Sequence, residues 1–166
     1  MKIRLEHQYI GAAIMQIAEH DQFTAINSID INGRKVNNAF FINNHCVIFC
    51  KYATEHNVNG EYVFTFNKDH IEQIEDITEQ KSVEIYICLV CVGASEICCL
   101  SKNQYENLIS NRKKSKGNEE EKYNILVTAT AGKSLSAYVN AAGKKMEYAG
   151  KPIKISRNSF PDIIFK

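Results

Sequence analysis

Two stretches of this chain are apolar on both sides of an extended backbone, and that restricts the fold more than any other feature. At a period of two, Cys46, Ile48, Cys50 and Tyr52 fall on one face of a strand, with Val47, Phe49 and Lys51 on the other. Residues 83–92 are more apolar still. Strands of this kind are central and covered on both faces, so layers must lie above and below the sheet. A chain of 166 residues is long enough to build one such domain. Its 45% hydrophobic and 23% charged content, with only 2 Pro, excludes a disordered tail or a proline-rich linker.

Around these strands the pattern predicts an alternation of helix and sheet. Tyr9, Ile10, Ala13, Ile14, Ile17 and Ala18 recur at helical spacing, with Glu6 and Glu19 at the polar margins. Asn32-Gly33 signals a turn, and Asn43-Asn44 joins a hairpin of residues 38–42 and 45–52. Residues 62–66 read as a further strand, with Asn67 as N-cap of a helix that buries Ile71, Ile74 and Ile77. After the strand at 83–92, Gly93-Ala94-Ser95 turns the chain into residues 96–100. Ser101 and Gln104 form a capping box for a helix that buries Tyr105, Leu108 and Ile109. Residues 112–122 read as a mobile charged loop, and the remainder as β-rich with residues 163–165 tucked into the core. The expectation is one α+β domain over 1–166, with a mixed central sheet flanked by helices. Residues 1–100 form the core, and 101–166 a capped helix, the loop and a basic β-rich extension.

Charge is divided unevenly. Residues 1–100 carry 7 Lys and Arg against 13 Asp and Glu, whereas 101–166 carry 13 against 6. A basic final third suits a polyanion such as DNA or RNA, with Arg112, Lys113, Lys114 and Lys116 as the candidate contacts. The same asymmetry also suits attraction between the halves, within the fold or across a homodimer. No apolar run reaches the length of a spanning helix and no signal peptide is seen at the start, so a cytoplasmic protein without a membrane role is expected. The six cysteines suit small buried hydrophobes better than a zinc site, because Cys88 and Cys91 point to opposite faces of their strand, as do Cys98 and Cys99.

The succession helix, hairpin, strand, helix, buried strand over residues 5–92 resembles the αβββαβ core of PD-(D/E)xK nucleases, the restriction-endonuclease-like fold. That resemblance implies an Mg²⁺-dependent phosphodiesterase, of the kind found in bacterial or phage conflict systems. Lys51 resembles the family lysine and Asp30 the first acid, with Glu6 or Glu19 as a supporting carboxylate. The position two before Lys51 is Phe49, where the family has an acid. Either the second metal ligand has moved, with Glu61 or a helix glutamate in its place beside Asp30, or the site is inactive. In the latter case the core is a scaffold for a non-catalytic protein-interaction module.

Each candidate has a plainer role. Lys51 can snorkel from the apolar sheet, Asp30 can form an Asx turn, and Glu6 and Glu19 can lie on a solvated helix margin. Pro161-Asp162 reads as a turn. Gly132-Lys133-Ser134 lacks both the upstream glycine and the following helix of a phosphate loop. Tyr62, Phe64 and Phe66 lack interleaved basic residues, so they read as core and not as a base-stacking platform.

Overall fold

Left-handed asparagines close the first two hairpins. Asn32 (φ 52°) and Gly33 (φ 77°) join β1 (Ile26–Ile31) to β2 (Arg34–Ile42), and Asn43 (φ 54°) and Asn44 (φ 50°) join β2 to β3 (Cys46–Ala53). Consecutive positive φ values are what a type I′ turn requires, and asparagine reaches them at low cost. The computed structural model describes residues 1–144 and 146–166. The remaining elements are α1 (Leu5–Ala18), β4 (Glu61–Asn67), α2 (Lys68–Lys81), β5 (Glu84–Cys91), β6 (Glu96–Ser101), α3 (Lys102–Lys116), β7 (Lys122–Thr128), β8 (Leu135–Tyr138) and β9 (Ile153–Ile155).

The fold is α+β with two sheets. The first has the order β1-β2-β3-β5-β6, antiparallel except where β5 runs parallel to β3 from Cys46–Glu84 to Ala53–Cys91. The second has the order β4-β7-β8-β9 and is antiparallel throughout. As the alternating apolar pattern demands, β3 and β5 are covered twice. On one face Ile10, Ala13 and Ile17 of α1, with Phe160 and Ile164 from the end of the chain, pack on Cys46, Ile48, Cys50, Cys88 and Cys99. On the other, Val47, Phe49, Ile87 and Leu89 share a larger core with α2, α3 and the inner face of the second sheet.

Two expectations change. The strand at 62–66 leaves the central sheet and pairs with β7, from Glu61–Thr128 to Asn67–Lys122. Its alternation of Tyr62, Phe64 and Phe66 still buries one face, but against the shared core. Gly93 allows the crossing, since a Cβ there would lie 2.8 Å from the Tyr62 hydroxyl and 3.1 Å from the Thr54 carbonyl oxygen. The charged segment from residue 112 is not a loop at its start. α3 continues to Lys116 and ends at Gly117 (φ 86°), whose N–H donates to the Lys113 carbonyl. Arg and Lys are good helix formers, and the three lysines of the last turn complement the helix dipole.

Candidate functional site

A bulge in β2 opens a cleft over Lys51. Ser28 pairs with Phe40, yet Asp30 already pairs with Lys35, so β2 carries extra residues between these points. Asn38 absorbs the distortion at φ 61°. The ladder between β2 and β3 therefore stops at Ala39–Phe49, and β3 runs on past it. The resulting cleft, about 280 Å³, is lined by Asn37 and Asn38 of β2, Lys51 and Tyr52 of β3, and Asn67, Asp69, His70 and Gln73 at the start of α2.

Lys51 shares the face of Val47 and Phe49, so its stem lies on the core side and its ammonium reaches α2. There it sits 3.5 Å from His70 Nδ1 and 5.2 Å from the centre of the Phe66 ring. Burial lowers the Lys51 pKa from its ordinary value. Among the described residues it has no carboxylate partner. His70 occupies the third position of α2 and closes a capping box with Asn67. The His70 N–H donates to Asn67 Oδ1 at 2.9 Å, and the Asn67 N–H donates to His70 Nδ1 at 3.2 Å. Nδ1 is therefore an acceptor, which assigns the ring proton to Nε2. Burial, then the nearby Lys51 charge, lowers the His70 pKa.

That arrangement carries a pH prediction. A depressed histidine pKa means the unfolded chain takes the proton first, so stability is lost as pH falls below about 6.5. Protonation would also remove the acceptor used by the Asn67 N–H. The melting temperature of the wild type is expected to fall between pH 7 and pH 5 by more than that of His70→Gln, which keeps an acceptor at the capping position without titrating. Parallel melting curves for the two proteins would exclude His70 as the source.

The candidate acids do not converge on this amine. Ile29 and Ile31 face the shared core, so Asp30 between them points to the opposite face of the sheet from Lys51, where it is exposed. Glu6 and Glu19 lie on and just after α1, which packs on that opposite face as well. Glu61 is buried in the second sheet, where Tyr138 donates to Oε2 and Asn57 donates to Oε1 at 3.1 Å. Its oxygens are thus occupied by protein donors, away from Asp30, and the paired set of metal ligands does not form. Among the described residues the only carboxylate lining the cleft is Asp69, and it makes no ion pair with Lys51. Phe49, where the family has its acid, is 2% exposed. This donor set does not fit a resident Mg²⁺, which prefers carboxylate oxygens and retained waters. Among the described residues no three His, Cys, Asp or Glu side chains are placed to hold a metal ion.

The basic candidates divide into two groups. Arg112 is fixed by Glu120 through two bonds of 2.7 and 3.1 Å, and by the Asn140 carbonyl at 2.9 Å. Lys113 pairs with Glu119 at 3.6 Å and lies over the Tyr123 ring. Lys114 and Lys116 are exposed at the end of α3. Sequence reasoning missed Asn37, Asn38, His70 and Gln73. Asn67 was readable as a cap, but nothing local places its partner His70 beneath Lys51. Among the described residues no helix is long and apolar enough to cross a membrane. The chain matches no protein-family model and, at a significant level, no curated protein and no solved structure.

Proposed function

We propose that this protein binds nucleic acid through the phosphate backbone, in the cytoplasm, with a degenerate nuclease-like core that does not cleave it. One observation carries the reading: the Lys51 ammonium, unpaired with any carboxylate among the described residues, faces the first turn of α2 in a cleft rich in amides. The N–H groups of the first turn that the Asn67 cap does not take, together with a nearby cation, favour a phosphate oxygen. Amide N–H groups of Asn37, Asn38 and Gln73 can add donors. The order of α1, the three-strand meander and a parallel strand after α2 supports the nuclease-like core. The absence of an acid at Phe49 supports binding without hydrolysis. Exposed Lys114 and Lys116 would extend the contact along the backbone.

Fluorescence anisotropy with DNA and RNA oligonucleotides tests this. Lys51→Met is expected to weaken binding roughly tenfold at low salt, as for loss of one charge-assisted contact, and to reduce the salt slope by about one. Affinity unchanged in Lys51→Met would remove the cleft from the interface. Cleavage by the wild type with Mg²⁺ or Mn²⁺, lost in Lys51→Met, would replace the binding reading with a catalytic one. The alternative is a protein-interaction module, favoured by the exposed side chains of Ile3, Leu5 and Met15. It is the reading left if neither DNA nor RNA binds.

A further inference from the structure

The opposite flank of α2 forms a second, unrelated feature. Between α2 and α3 runs a groove of about 410 Å³ with a floor of Ile71, Ile74, Tyr105 and Ile109. It adjoins a pocket of about 330 Å³ beside residues 119–121, and the two share Ile71, Glu75 and Lys113. Tyr105 is 4% exposed, and its buried hydroxyl has no hydrogen-bond partner among the described residues. Leaving such a group unpaired costs about 1–3 kcal/mol. It lies just beneath the groove, close to the Glu75 and Glu106 carboxylates that line it, so a small shift of the ring would bring it to a partner from outside the chain.

The rim specifies the charge of that partner. Lys68, Lys102 and Lys113 are each paired with a glutamate, at 4.0, 3.4 and 3.6 Å. Glu75 and Glu79 of the groove and Glu121 of the adjoining pocket have no ion-pair partner among the described residues, which leaves both acidic. Burial, with Glu75 and Glu106 nearby, raises the Tyr105 pKa and keeps the phenol neutral, able to accept from an N–H. Glu75 and Glu79 stand one turn apart along α2, and Glu106, paired with Lys102, lies on the facing helix, so the carboxylates are spread along the groove. They do not converge as ligands of a single metal ion would.

We propose that the α2–α3 groove binds a linear aliphatic polyamine. Its methylene segments lie on Ile71, Ile74 and Ile109, and its ammonium groups meet the Tyr105 oxygen and the separated carboxylates. An anion is opposed by the rim, and a neutral alcohol would satisfy Tyr105 while leaving the carboxylates unmatched. An extended cation of alternating charge and hydrocarbon meets all three requirements of floor, rim and buried oxygen.

Titration calorimetry with spermidine at low salt tests the proposal on the full chain. A saturable one-to-one isotherm is expected. Tyr105→Phe should weaken it about fivefold, the effect of one hydrogen bond, and Glu75→Gln about twofold to threefold. Glu6→Gln, on another face, should leave it unchanged. Glu75 is exposed, so that variant keeps the test valid should Tyr105→Phe fold poorly. The proposal is overturned if spermidine gives no saturable heat, or if Mg²⁺ at equal charge displaces it as well as a second polyamine does. It also fails if 1,6-hexanediol binds equally, or if both variants behave as wild type. Binding of a lysine-rich peptide without binding of spermidine would assign the groove to a protein partner instead.

Discussion

Phe49→Asp, which would restore the family's acid two residues before Lys51, is expected to unfold the protein rather than to create a metal site. Phe49 is 2% exposed and packs in the core shared by both sheets, with its ring 6.1 Å from that of His70. A carboxylate there loses the aromatic packing, worth about 3–5 kcal/mol in comparable truncations, and adds the cost of a buried polar group. The sum approaches the whole stability of an ordinary domain, about 5–15 kcal/mol. Guanidinium unfolding should show Phe49→Leu folded with a modestly lowered midpoint, and Phe49→Asp without a cooperative transition. A folded Phe49→Asp that gained Mg²⁺ binding would instead show a latent metal site, and the binding-only reading would fall with it.

Alkali should be the other severe perturbation. All six thiols are free and buried. Burial, reinforced by Cys99 and Glu84, pushes the Cys46 thiol up to about 12, and burial with Glu96 does the same to Cys91. Cys88, hydrogen-bonded by Cys50 and Cys99, and Cys98, by burial, are also held well above the usual range. A raised folded pKa leaves the native state with more protons than the unfolded one, so the stability these groups contribute is complete below pH 9 and declines as pH rises toward 12. At about 1.4 kcal/mol per pH unit per group, Cys46 and Cys91 alone would withdraw about 4 kcal/mol by roughly pH 10.5. Guanidinium midpoints should therefore drop steeply between pH 8.5 and pH 10.5. At pH 8 the native protein should resist a thiol reagent that modifies all six cysteines once it is unfolded. A flat midpoint across that range, or prompt modification of the native state, would mean that the thiols ionise normally.

Local signals foretold the elements but not their assembly. The paired asparagines at 43 and 44, the cap at Asn67 and the Ser101–Gln104 box all act within a few residues, and each is found where its chemistry indicates. The opposed faces of Cys98 and Cys99 follow from strand periodicity alone. In contrast, Phe64 and Phe66 declare that one side of β4 is buried without naming the sheet that receives it. The charge run at 112–116 looked like solvent-exposed loop because its anchors, Glu120 and Asn140, lie farther along the chain. For the candidate site, Lys51 stood out as an amine on an apolar strand. Its surroundings depend on a bulge at Asn38 and on the docking of α2, both settled by tertiary packing.

The detour of β4 has a consequence for biosynthesis. Phe64 lies opposite Ile125, so the hydrogen-bonding edge of β4 has no mate until that part of the chain has left the ribosome. The parallel neighbours β3 and β5 can meet earlier, with α1 already available to cover one side. Nascent chains halted before residue 122 would carry Tyr62, Phe64 and Phe66 on an unmatched strand, the kind of surface that recruits chaperones or seeds aggregation. Closure of the second sheet would then be the late event of folding, paced by a long-range contact that local helix formation cannot hasten.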